Sequence, residues 1–196
     1  MASRDPPKPS IDRQSTTPFH LKLFYRQHAF HHLADFPVAS APSRGGAHIG
    51  SNASSGMQLP AHLQIYTWQS CTLRELSQLL TSALPGQLPS PPIGTRLCFR
   101  LVYPDTRGAA AMGPDARGRY LSKDMGSVIV GDREGKQHDG NEKNSDGSAR
   151  TYRLQGDDAD KMLQDMRFVI GDFVDCAILP PLEDGSIAPA IVSGRG

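Results

Sequence analysis

His28, His31 and His32, with Asp35 three residues on, are the side chains best spaced to hold a metal ion. Imidazole and carboxylate are ordinary zinc ligands, but an H-x-x-H-H run without cysteine or Glu-x-x-His spacing lacks the pattern that closes a tetrahedral site. A solvated basic loop explains these residues better, so no metal or other cofactor is expected. Asp172 and Asp175 form a second chemical pair, because two carboxylates flanking a strand can divide acid and base roles. Their positions argue against it: Asp172 follows Gly171 in a turn, and Asp175 is expected on the solvent side of the strand. No G-x-S-x-G, Walker A or Rossmann pattern organises the Ser, His and Asp residues. The glycines cluster in loops rather than between a strand and a helix, where phosphate binding needs them. Cys71, Cys98 and Cys176 are odd in number, far apart and without C-x-x-C spacing, so neither a disulfide framework nor a zinc site is supported, and a reducing compartment is expected. The expectation is a protein without catalytic residues.

The elements that would position any site are clearest from Leu63 to Leu84, LQIYTWQSCTLRELSQLLTSAL. In the strand Leu63–Trp68, Leu63, Ile65 and Thr67 point one way and Gln64, Tyr66 and Trp68 the other. The period then changes. Leu73, Leu76, Leu80 and Leu84, with Leu79 and Ala83 beside them, form one apolar stripe on a helix. Thr72 and Glu75 fit a capping box at its start, and Pro85-Gly86 ends it. A first strand runs from Phe19 to Tyr25 with Phe24 as the exception, an aromatic on the polar face. Arg96–Tyr103 alternates again, Leu97, Phe99, Leu101 and Tyr103 facing the core. A short strand is expected at Arg119–Lys123, and an apolar one at Phe173–Leu179 that suits the middle of a sheet.

Composition sets the rest. The chain has 196 residues, 38% of them hydrophobic, and a net charge of +1, which leaves room for one domain plus loops and argues against broad electrostatic binding to nucleic acid or membrane. Residues 1–17 read as a flexible or draped arm, 18–181 as the domain, and 182–196 as a flexible tail. Three disordered insertions are expected within the domain, at 39–56, 104–118 and 131–150; in the first, 13 of the 18 residues are Ala, Ser or Gly. The start MASRDPPKPS has no apolar h-region and no run of eighteen apolar residues occurs, so neither a secretory signal nor a membrane span is expected. The element order is α+β, a mixed sheet packed on one main helix. That order fits a β-grasp, or ubiquitin-like, arrangement and also other small α+β sheets.

The runs IDR at 11–13, LQIYTW at 63–68, TLREL at 72–76, GT at 94–95 and IGDFVDCAILPP at 170–181 resemble the family of the eighteen-kilodalton Sin-associated polypeptide, a ubiquitin-like protein. The resemblance implies a nuclear, non-enzymatic adaptor of histone-deacetylase corepressor assemblies. It also implies a splicing-linked complex with an Acinus-like protein and a serine-rich RNA-binding protein.

An adaptor needs exposed anchors. Tyr66 and Trp68 lie opposite the core face of their strand; either they cover a second small cluster with Phe24, or the three aromatics anchor a partner, the reading adopted here. Ile11, Asp12 and Arg13 in the arm, and Gly171 and Asp172 in the turn, are the next candidates. The alternative function is direct RNA binding through Arg96, Arg100, Arg117, Arg119 and Lys123. A chain ending Ser193-Gly194-Arg195-Gly196 does not read as a conjugated modifier, which needs a terminal Gly-Gly.

Overall fold

The computed structural model describes residues 11–37, 59–112, 118–133 and 152–192. The expected insertion at 39–56, residues 134–150 of the one expected at 131–150, and residues 1–10 of the arm lie outside the described residues. Six strands form one mixed sheet, β1 (Phe19–Gln27), β2 (His62–Thr67), β3 (Arg96–Pro104), β4 (Tyr120–Arg133), β5 (Tyr152–Gln155) and β6 (Phe173–Leu179), in the order β2-β1-β6-β3-β4-β5. The neighbours β1 and β6 are parallel, with Leu23 opposite Val174, and every other pairing is antiparallel. The α+β expectation is met.

Helix α1 (Leu73–Ala83) covers one face. Leu73, Leu76 and Leu80 are fully buried, whereas Leu79 on the flank of the stripe is exposed. Thr72 caps the helix by accepting from the Glu75 N–H at 3.2 Å. Two further first-turn donors, Leu73 N–H and Arg74 N–H, reach Lys161 O (3.1 Å) and Ala159 O (2.8 Å). A helix leaves its first four N–H groups without internal partners, so the 158–163 loop is what completes this end. Leu163, Met166 and Phe168 from the same stretch enter the core beneath α1.

Four features differ from the sequence expectation. The strand expected at Arg119–Lys123 continues to Arg133, through a bulge where Phe99 faces Gly126 and Arg100 faces Asp124. Gly126 has φ +135°, and a Cβ there would lie 2.5 Å from the Asp158 side chain, so only glycine suits the bulge. Part of the 104–118 stretch is a short helix, α2 (Thr106–Met112); residues 113–117 are outside the description. Residues 131–133 belong to β4 rather than to an insertion.

The largest difference is a second layer on the face away from α1. Residues 28–37, with a 3₁₀ turn at Leu33–Asp35, strap across it and place Phe36 against Phe24 at a ring distance of 5.0 Å. The tail also packs: Ala188 is buried and Ile191 half-buried beside Cys98, Ala177 and Leu179, and Arg96 Nε donates to Ala188 O at 2.7 Å. Cys98, Arg100 and Val102, which alternate with the helix-facing residues of β3, are therefore buried as well. Both faces of β3 and β6 are covered.

Candidate functional site

β2 is an edge strand, with Tyr66 on it and Trp68 just past its end, the two aromatics the sequence singled out here. Tyr66 is 72% exposed, its ring 5.5 Å from that of His20, the cross-strand partner on β1. Thr67, one residue on, is buried, so the alternation read from the sequence holds here. Trp68 is half-buried and held by the arm: its indole Nε1 donates to Thr16 O at 2.6 Å, and the Arg13 guanidinium stands 5.5 Å from its ring centre. Arg13 Nη2 also donates to both carboxylate oxygens of Glu75 at 3.0 Å and to Ser70 O at 3.1 Å. Exposed pairs of this kind are each worth about 0–1 kcal/mol, so the clamp locates the arm without making it permanent.

Asp12 turns inward on the arm, accepting from Gln14 N–H (2.9 Å) and Ser15 Oγ–H (2.8 Å). The Ser15 hydroxyl and the Gln14 amide hold its carboxyl below the ordinary value. Ile11 is half-buried. Gly171, at φ +108°, and Asp172 make the expected turn, in which Asp172 Oδ2 accepts from Val169 N–H at 2.9 Å. Burial raises the Asp172 carboxyl, and this hydrogen bond offsets part of the rise. The turn presents Val169 and Ile170, each 63% exposed, which the sequence reading did not single out.

Phe24 is not a surface anchor. It is 0% exposed and sits among Phe36, Phe173 and His62, at ring distances of 5.0, 5.3 and 5.0 Å. Its face of the sheet was expected to meet solvent; the 28–37 strap covers it instead.

Asp175 also belongs to the interior. Fully buried, its carboxylate accepts from Arg100 Nε (3.0 Å) and from His31 N–H (3.1 Å), with His31 Nδ1 at 2.8 Å. Arg100 Nη2 continues to His31 O, and its guanidinium lies 4.6 Å from the Phe30 ring centre. A buried charge needs this many partners to offset lost hydration. The arrangement rivets the strap to β3 and β6. Asp172 lies in the turn as expected, whereas Asp175, expected on the solvent side of the strand, is inside, so the two carboxylates form no pair.

The histidines separate likewise. His31 serves Asp175, while His28 and His32 are exposed and Asp35 Oδ2 accepts from His32 N–H at 3.0 Å. Among the described residues no group of three His, Cys, Asp or Glu side chains is placed to hold a metal. All three cysteines are buried; burial pushes the Cys71 thiol up to about 12, and raises Cys98 and Cys176. Such thiols are poor nucleophiles. No described helix is long and apolar enough to cross a membrane.

The basic patch offered for RNA does not assemble. Arg100 is inside, Arg96 is bound to Ala188 O and Ser127 Oγ, and Arg119 Nε donates to Asp105 at 2.6 Å. Lys123 is exposed, and Arg117 lies outside the described residues.

Comparison with known proteins places these features in a lineage. Residues 10–178 match the family model described as Sin3 associated polypeptide p18 (SAP18). The human protein named histone deacetylase complex subunit SAP18 is 29% identical over 179 residues, covering 91% of this chain and 83% of its own. The Arabidopsis thaliana protein of the same name is 26% identical over 179 residues, covering 90% and 86%. A Caenorhabditis elegans protein named probable histone deacetylase complex subunit SAP18 is 28% identical over 171 residues, covering 87% and 74%. The match runs from the arm that clamps Trp68 to the end of the central strand β6, and on that extent the chain belongs to the Sin3 associated polypeptide p18 (SAP18) family.

Proposed function

We propose that this protein is a non-enzymatic nuclear adaptor that docks other proteins in histone-deacetylase corepressor complexes and in Acinus-type splicing assemblies containing a serine-rich RNA-binding protein. Its fold on this reading is a ubiquitin-like β-grasp. An antiparallel β1/β2 pair, a helix across one face and a parallel β1/β6 pair support that assignment. Membership of a family whose human, worm and plant members are named for a histone deacetylase complex supports the corepressor role.

The observation that carries the docking reading is Tyr66, a large aromatic left open on an edge strand beside the Arg13–Trp68 clamp. Tyrosine and arginine are over-represented among residues that dominate binding energy, and an edge strand offers backbone groups to an incoming segment. The docking face comprises Tyr66, Trp68 and Arg13, flanked by Ile11 and Asp12; the Gly171–Asp172 turn is a separate contact, and Phe24 is excluded from it. Affinity purification of the full chain from nuclear extract of its own cells tests the proposal. Co-purification of histone deacetylase subunits and an Acinus-like chain is expected, and recovery of neither would overturn it.

A further inference from the structure

Below the 169–172 turn, the α1-facing side of the sheet carries a groove of about 620 Å³ that neither the Tyr66 face nor the Asp175 network uses. That volume is within the range of sites that enclose small ligands or anchor side chains. Its floor is Tyr103 and Leu121, half-buried cross-strand partners on β3 and β4, above buried Leu101 and Met166. Exposed Val169 extends the apolar surface to the lip.

Charge on the rim is uneven. Arg107 from α2, Lys123 from β4 and Arg167 line the groove, all exposed, and none of their side chains has a hydrogen-bond or ion-pair partner among the described residues. The two carboxylates on the rim are engaged: Asp105 accepts from Arg119 Nε at 2.6 Å and Gly108 N–H at 2.8 Å, and Asp172 from Val169 N–H at 2.9 Å. Arg167 has φ +61°, a conformation in which glycine or asparagine is relaxed and arginine is not. The Arg167 cation therefore stands at the groove on a backbone that a smaller neutral residue would fit better.

We infer that this groove docks a linear acidic segment of a partner protein, with one or two large apolar side chains on the floor and flanking Asp or Glu residues against Arg107, Lys123 and Arg167. The inference rests on the adaptor reading and adds a second contact to it. A single strand of RNA fits less well: base stacking wants a platform of aromatic rings, and Tyr103 is the one aromatic ring among the groove's lining residues.

The test is selection of a displayed library of random twelve-residue peptides on the full chain. Enrichment of Asp or Glu around Leu, Ile or Phe is expected, and the synthesised consensus should shift the backbone amides of residues 121–123 and 166–169 in ¹H–¹⁵N spectra. Combining Lys123→Glu with Arg167→Glu should weaken that peptide about tenfold or more. The same substitutions should turn selection toward Lys and Arg while the melting temperature holds. If the reversal variant melts early, Lys123→Gln with Arg167→Gly carries the same comparison, since glycine is relaxed at that φ. No enrichment, a consensus without acids, amide shifts elsewhere, an affinity indifferent to the substitutions, or oligouridine binding that the reversal abolishes would each overturn the inference. A reversal variant that still co-purifies the corepressor chains would leave the adaptor reading standing when the groove fails. A wild-type chain that co-purifies none would count against that reading whatever the groove binds.

Discussion

Replacing Asp175 by alanine should be among the most damaging single changes in this protein. The substitution leaves Arg100, also buried, with His31 O as its remaining acceptor and removes the acceptor for His31 N–H and Nδ1. Breaking one side of a buried ion pair costs about 3–5 kcal/mol because the stranded charge keeps its desolvation penalty. Total stability of a domain is about 5–15 kcal/mol, so a large share is lost. At about 2–4 °C per kcal/mol for a chain of this size, the melting temperature should fall by roughly 6–20 °C. Urea unfolding followed by circular dichroism measures the loss, and hydrogen exchange at residues 28–37 should accelerate beyond the global change. Arg100→Met should be costly too, whereas Asp175→Val with Arg100→Met should cost clearly less than the sum, because no charge is then stranded. A loss below about 1 kcal/mol for Asp175→Ala, or strict additivity in the double variant, would refute the argument that this network rivets the strap.

Phe24→Ala should lower stability by about 3–5 kcal/mol in urea unfolding, as befits a ring enclosed by Phe36, Phe173 and His62; an unchanged midpoint would return Phe24 to the surface. Arg13→Ala should cost no more than about 1 kcal/mol yet free the arm, read as a red shift and greater quenching of Trp68, the only tryptophan in the chain. Gly108 N–H and Arg119 hold the Asp105 carboxyl below its ordinary value of 3.8. Its contribution is therefore present above that value and lost as pH falls through the depressed one, so Asp105→Asn should melt lower than wild type at pH 7, with the gap closing toward pH 2 in acid titration.

The helix, its Thr72 cap and the alternation of β1, β2 and β3 were legible because each is local: a spacing of three and four, a capping residue, a period of two. What escaped depends on contacts distant in sequence. β4 was cut short because Gly126 breaks the alternation at a bulge, and the reason for glycine there is Asp158, thirty-two residues on. β5 spans only Tyr152–Gln155, too few residues to show a period. The second layer is built from scattered anchors, Phe30, Phe36, Ala188 and Ile191, which carry no periodicity. Without it, Arg100 and Asp175 read as solvent-facing on charge alone. Phe24 on a polar face and Asp175 within FVDCAIL were the signs that this face is covered. Of the residues proposed to dock a partner, Tyr66 followed from alternation. The clamp on Trp68 needed the arm to be placed, and the groove needed β3, β4 and the 166–172 loop brought together.

The central claim is that the chain acts by docking proteins through the exposed face of β2, and one comparison tests it directly: quantitative capture of the nuclear corepressor and Acinus-like chains by wild type and by Tyr66→Ala, with melting curves recorded alongside. The account predicts binding weaker by about 2 kcal/mol, roughly thirtyfold, with the melting temperature unchanged, because Tyr66 is exposed and supports no core. Equal capture by both proteins would contradict it.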